Sequence, residues 1–201
     1  AHIYIRVGRW NDAVQANQHA IHSDEEFIEG QHPVGVYPLA YYPHNIHFLA
    51  FASTMAGRSA QAIEAAKTLT SKVNLEAARQ VGMLQEMVPY HALTLTTFGK
   101  WDEVLAVPLP PEDLRFSNAM ASYARGVAQA AKGEWAEAQG SLDRVTAADA
   151  ATPEGDEGKT ALSIAVHALS GEIATRRGNL DEGITHFREA AKIEDGGLYF
   201  E

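Results

Sequence analysis

A six-residue turn recurs five times along this chain: Gly8-Arg9-Trp10-Asn11-Asp12-Ala13, Gly57-Arg58-Ser59-Ala60-Gln61-Ala62, Gly99-Lys100-Trp101-Asp102-Glu103-Val104, Gly133-Glu134-Trp135-Ala136-Glu137-Ala138 and Gly178-Asn179-Leu180-Asp181-Glu182-Gly183. Glycine accepts positive φ without a Cβ clash, so each copy predicts a helix closed at its glycine and followed at once by a second amphipathic helix. A small residue lies five positions after each glycine (Ala13, Ala62, Val104, Ala138, Gly183). Another lies seven positions before it in four copies (Ala50, Ala92, Gly126, Gly171). Small residues at fixed registers on both helices mark where the two helices touch. The pattern predicts an all-α chain of helical hairpins.

Further positions recur nine and twelve residues after the glycine, Leu142 and Val145 in the fourth copy and Phe187 and Ala190 in the fifth. In these features the chain resembles the tetratricopeptide repeat family. The resemblance implies a right-handed α-solenoid of about five hairpins, one domain over residues 1–201, with an inner groove that binds a protein segment or peptide. Successive glycines are spaced by 49, 42, 34 and 45 residues. Only one interval equals the family's usual 34, so loops or longer helices must take up the rest. The stretches His2-Ile3-Tyr4-Ile5-Arg6-Val7-Gly8-Arg9-Trp10 and Tyr41-Tyr42-Pro43-His44-Asn45-Ile46-His47-Phe48-Leu49 also resemble a branch of bacterial tetratricopeptide proteins. That likeness implies a lineage and no activity. A complete first helix would need more than the seven residues before Gly8, so the chain is expected to be a fragment lacking upstream sequence.

Composition narrows the partners. The formal net charge is −10, from 16 basic and 26 acidic residues with no cluster of Lys or Arg, which argues against a phosphate backbone as partner. No apolar run approaches the ~20 residues needed to cross a bilayer, so no membrane insertion is expected. There is no cysteine, which removes disulfides, thiolate metal sites and cysteine nucleophiles. That composition suits cytoplasm or periplasm, and a soluble cytoplasmic protein is the expectation.

Along the chain, Asn11 to about Phe27 reads as a helix packed through Ala13, Ala16, Ala20 and Ile21. The stretch Ile28–Tyr42, with Gly30, Pro33, Gly35 and Pro38, reads as an ordered loop. Pro43 suits the first turn of a helix running to Ala56, and a partner helix spans Ser59 to Lys72. Leu75–Phe98 is helical in pattern but split or kinked near Val88 by Pro89. A brief helix after Trp101 stops before Pro108. Helices over Asp113–Lys132 and Trp135 to about Ala148 follow, then a solvated loop at Ala151–Gly158 and a last hairpin over Lys159–Ile193. Trp10, Trp101 and Trp135 are expected to cover the hairpin junctions and His167 to occupy a packing position. His19, His22, His32 and His186 are expected to face solvent or a loop, and Glu25, Glu26 and Glu29 to form a solvated face.

Chemistry concentrates in Pro43-His44-Asn45-Ile46-His47. His44 and His47 are three residues apart at a helix start and share a face. In the repeat frame that face points into the groove, continued by Phe51 and Thr54, while Ile46, Leu49 and Ser53 point to the hairpin partner. His44 is expected to be neutral near pH 7, because a helix N-terminus disfavours imidazolium. His2, Tyr90 and His91 reach the same groove, and Arg6 supplies a cation. The expected ligand-binding set is therefore His2, Arg6, His44, Asn45, His47, Phe51, Thr54, Tyr90 and His91, acting on a protein segment or peptide with no cofactor. The alternative is a metal-binding protein or metalloenzyme in which His2, His44 and His47 hold a divalent ion. No Gly-x-Ser-x-Gly elbow, phosphate-binding glycine loop, His-Glu-x-x-His helix or calcium loop is present, so the expectation leans to a binding protein over an enzyme and leaves the metalloenzyme alternative open.

Overall fold

In the computed structural model, residues 1–33, 35, 37–156 and 158–197 are described. They form helices and no strand: α1 (His2–Arg6), α2 (Trp10–Gln31), a π-helical turn (Tyr37–Tyr41), α3 (Tyr42–Met55), α4 (Ser59–Lys72), α5 (Leu75–Gln80), α6 (Gly82–Met87), α7 (Tyr90–Thr97), α8 (Trp101–Ala106), α9 (Arg115–Lys132), α10 (Trp135–Ala150), α11 (Lys159–Arg176) and α12 (Leu180–Gly197). Two compact units divide the chain, Ala1–Thr94 and Leu95–Glu201. Among the described residues no helix is long and apolar enough to cross a membrane.

One backbone motif closes all five recurring turns. Gly8, Gly57, Gly99, Gly133 and Gly178 have φ between 66° and 91°. In each, the glycine N–H reaches back three residues and the next N–H reaches back five, as in Gly133 to Ala130 (3.2 Å) and Glu134 to Gln129 (2.9 Å). The residue after the glycine then accepts the first bond of the following helix, as Glu134 accepts from Ala138 (2.9 Å). A helix end and a helix start thus satisfy each other's orphan groups within six residues.

The small residues mark the packing as expected. Ala13, Ala50, Ala62 and Ala138 are fully buried, and Ala92 and Val104 nearly so. Where glycine replaces alanine the helices come closer still. A Cβ on Gly126 would lie 2.7 Å from Leu169, and one on Gly171 would lie 2.7 Å from the Phe187 ring. In the first unit α2, α3 and α4 pack in sequence order, with Ala13, Val14 and Ala52 at the centre of one cluster and Tyr4, Ile5 and Leu49 around it. In the second, Val127, Ala130, Ala138, Leu169 and Ile173 join α9, α10 and α11, flanked by Trp101, Tyr123 and Leu142. Trp101 lies 3.5 Å from where a Gly99 Cβ would be, so it covers its own turn as expected.

Several boundaries differ from the sequence reading. Helix α2 runs through Gly30 to Gln31 and is stopped by His32, which takes the left-handed position (φ 45°) without being glycine. Its packed stripe includes Val14, Asn17 and Asp24 besides Ala13. The segment between Leu75 and Pro89 breaks twice, because Val81 is extended and separates α5 from α6. Leu93 N–H bonds to the Pro89 carbonyl, so Pro89 sits where a missing N–H costs nothing. The loop after α10 is exposed at Ala151, Pro153, Glu154, Gly155 and Asp156. Its end is not solvated: a Cβ on Gly158 would lie 2.6 Å from Phe116, and the adjoining Lys159 bonds Asp149 at 2.9 Å. His186 is half-buried instead of solvent-facing, because the close α11–α12 approach sets it against His167.

Two glycines only seven residues apart separate turn chemistry from helix propensity. Gly133 is left-handed, whereas exposed Gly140 lies inside α10 with no atom within 4 Å of a Cβ. Gly133→Ala is expected to destabilise by about 1–2 kcal/mol, and Gly140→Ala to stabilise by about 0.5–1 kcal/mol. Urea midpoints of the two variants should move in opposite directions, and shifts of the same sign would refute the turn assignment.

Candidate functional site

The site is built on the first turns of two short-range helices. One helical turn places His2 and Arg6 four apart on one face of α1. In α3, Pro43 occupies the first turn, where its missing N–H is harmless, and the helix carries His44, His47, Phe48 and Phe51 on one stripe. Between α1 and α3 lies a cleft of about 330 Å³ lined by His2, Ile5, Arg6, His47, Phe48 and Phe51. Its wall is largely aromatic and aliphatic, and Arg6 has no ion-pair partner among the described residues.

Phe48 is the ring around which the histidines are arranged. Its centroid is 4.4 Å from His2 and 4.4 Å from His44, and 6.0 Å from His47 in an edge-on contact. His2 Nε2 and His44 Nε2 are 3.5 Å apart. On the other side, His47 meets the Tyr90 ring edge-on at 4.4 Å. Phe51 is 38% exposed and touches Trp10 edge-on at 6.3 Å.

Burial sets the charge state of this cluster. His47 is pushed down to about 4, first by desolvation and then by the nearby His44. His44 is lowered by desolvation and by His2. It is therefore neutral as expected, with burial as the leading cause. The Tyr90 hydroxyl is pushed up to about 12 by burial alone. Near neutral pH His44 and His47 are thus uncharged imidazoles and Tyr90 a phenol, beside the Arg6 guanidinium.

Of the expected site residues, His2, Arg6, His47 and Phe51 line the cleft, and His44 and Tyr90 border it through ring contacts. Asn45 does not face it, because its amide donates to Asp24 Oδ2 at 2.8 Å and ties α3 to α2. Thr54 bonds back to the Ala50 carbonyl at 2.9 Å and adds nothing to the lining. His91 is half-buried beside α4, its N–H directed at Thr70 Oγ1. Among the described residues no three His, Asp or Glu side chains are placed to hold a metal, so His47 does not complete a ligand set with His2 and His44.

Sequence reasoning passed over Phe48 and Asp24. Phe48 lies four residues after His44 on the same stripe, a spacing that was enough to find it. Asp24 is only 6% exposed and accepts from Tyr37 Oη at 2.6 Å as well as from Asn45. Its neighbour Glu25 is not merely solvated, since it accepts from Tyr42 Oη at 2.9 Å. These bonds lock the loop before α3 onto α2 and so fix where His44 and His47 begin. No family model, curated protein or solved structure matches the chain.

The neutral His47 couples the site to pH. Its folded value of about 4 lies below the ordinary 6.5, so the unfolded chain takes the proton first. Stability from this group is complete above pH 6.5 and is lost as pH falls toward 4. The loss is roughly 2 kcal/mol by pH 5. His47→Gln should show a correspondingly smaller fall in urea-unfolding free energy between pH 7.5 and 5. Equal falls in the two proteins would rule out a neutral, half-buried His47.

Proposed function

We propose that this chain is a tetratricopeptide-like binding scaffold, a right-handed α-solenoid of about five hairpins, and that the cleft between α1 and α3 holds a protein segment or peptide. The observation that carries the reading is the composition of the cleft: Phe48, Phe51 and Ile5 beside neutral His47, with the Arg6 guanidinium, which has no ion-pair partner among the described residues, in the lining. Apolar walls favour burial of an aromatic or aliphatic side chain, and a guanidinium in a chain of net charge −10 favours a carboxylate next to it. The preferred segment therefore presents a Leu, Phe or Tyr flanked by Asp, Glu or a terminal carboxylate. The repeated helix–turn–helix frame supports the same assignment, since hairpin arrays bind extended segments on side chains held by rigid helices.

The metal reading is the second one, and the 3.5 Å approach of His2 Nε2 to His44 Nε2 favours it. It makes a divalent ion part of the site, whereas the peptide reading needs none. The two are separable by experiment.

A random peptide library panned against the purified, chelator-treated chain is expected to enrich sequences that pair an apolar residue with an acid. Phe48→Ala should weaken those peptides at least tenfold, and Arg6→Gln should relax the preference for the acid while leaving the apolar residue selected. Melting temperatures of both variants are measured alongside. Peptides that bind wild type, Phe48→Ala and Arg6→Gln equally would place recognition elsewhere. A requirement for added Zn²⁺ or Ni²⁺ that His44→Ala abolishes would favour the metal reading instead.

A further inference from the structure

We infer that His167 and His186 form a two-imidazole site for a divalent ion of the zinc, nickel and copper class, separate from the α1–α3 cleft. The pair spans α11 and α12 in the second unit, with both residues half-buried. Their Nδ1 atoms are 3.1 Å apart, with ring centroids 5.4 Å apart and ring planes at 43°.

The two backbones are held together on glycines, so the pair is set by the helix contact itself. A Cβ on Gly183 would lie 2.1 Å from Thr175 Oγ1 and 3.1 Å from the Gly171 carbonyl oxygen, and Phe187 closes over Gly171. His167 is one turn before Gly171, and His186 directly precedes Phe187. Neither helix needs to move for the two rings to share a third atom.

At 3.1 Å the two Nδ1 atoms are at hydrogen-bond distance, the tautomer deciding which donates and which accepts. The same spacing suits a metal. Bonds of about 2.0–2.1 Å to imidazole nitrogen put two ligands about 2.9 Å apart at a right angle and about 3.4 Å apart at the tetrahedral angle. A cation can therefore take the place of the shared proton, which passes through solvent to Nε2 of the donor ring so that both rings ligate as neutral imidazoles, with water completing the coordination. Two nitrogen donors select zinc, nickel or copper over magnesium and calcium, which prefer oxygen. The chain's net charge of −10 favours a cation over an anion as occupant.

The test is thermal unfolding of the chelator-treated chain with Zn²⁺, Ni²⁺ or Mg²⁺ added separately at pH 7.5, each variant being compared with its own metal-free Tm. Because a ligand bound only to the folded state stabilises it by mass action, Zn²⁺ and Ni²⁺ are expected to raise Tm by several degrees, and Mg²⁺ to leave it unchanged. His44→Ala, which breaks the His2–His44 pair, should keep that rise. Adding His186→Gln or His167→Gln to it should abolish the rise. In the unmutated chain, ¹⁵N-histidine spectra should show Zn²⁺ shifting Nδ1 of these two rings. The inference is overturned if wild type does not respond to either metal, if His44→Ala removes the whole response, or if the His186 and His167 variants retain it. None of these outcomes bears on peptide binding by Phe48 and Arg6.

Discussion

A helix end leaves carbonyls without partners and a helix start leaves N–H groups without them, and both deficits must be met before two helices can be joined tightly. In this chain the left-handed glycine meets them locally. The backbone turns back on the preceding helix through two bonds and hands its next carbonyl to the following helix. Because the joint is so short, the second helix leaves at a fixed direction and presents the residue five positions on to the helix before it. That position must be small, and at Gly183 even a methyl group would collide with Thr175. The packing of alanines and glycines follows from the turn.

The cleft depends on a different balance. His44 and His47 are held neutral by the desolvation that comes with packing around Phe48 and Tyr90, so the aromatic rings set the electrostatics as well as the shape. Desolvation of His44 and His47, with each also opposed by a neighbouring imidazole, keeps these two from charging together. Arg6 lines the same cleft outside that cluster of rings. The buried Asp24, satisfied by Tyr37 and Asn45, does its work one layer behind, by holding the entrance to α3.

Much of this was legible because glycine, proline and small residues act through the backbone of their own segment. The five closures, the burial of Ala13, Ala50, Ala62 and Ala138, the helix start at Pro43 and the break at Pro89 all needed only local arithmetic. What escaped depended on partners distant in sequence or on weaker local signals. His32 took a left-handed position usually given to glycine, and the extended Val81 broke a helix without a proline. Asn45 turned to Asp24, 21 residues away, instead of to the cleft. His186 met His167 across a helix pair whose close approach could be foreseen, although its rotation about the helix axis could not. Asp24 carried a readable hint, since it continues the packed stripe of Ala13 and Asn17 and is therefore a polar residue where an apolar one belongs.

The self-contained turns also bear on how the chain can be assembled and altered. Each closure spans six residues, and the α3–α4, α9–α10 and α11–α12 hairpins pair neighbours in sequence, so the loop entropy spent to form those contacts is small. Folding of a hairpin therefore has no long-range strand pairing to wait for. By the same token a segment can be lengthened between two closures without disturbing either. Intervals as unequal as 34 and 49 residues are the record of that tolerance, the backbone counterpart of a joint that can be reused wherever a chain has room for another helix.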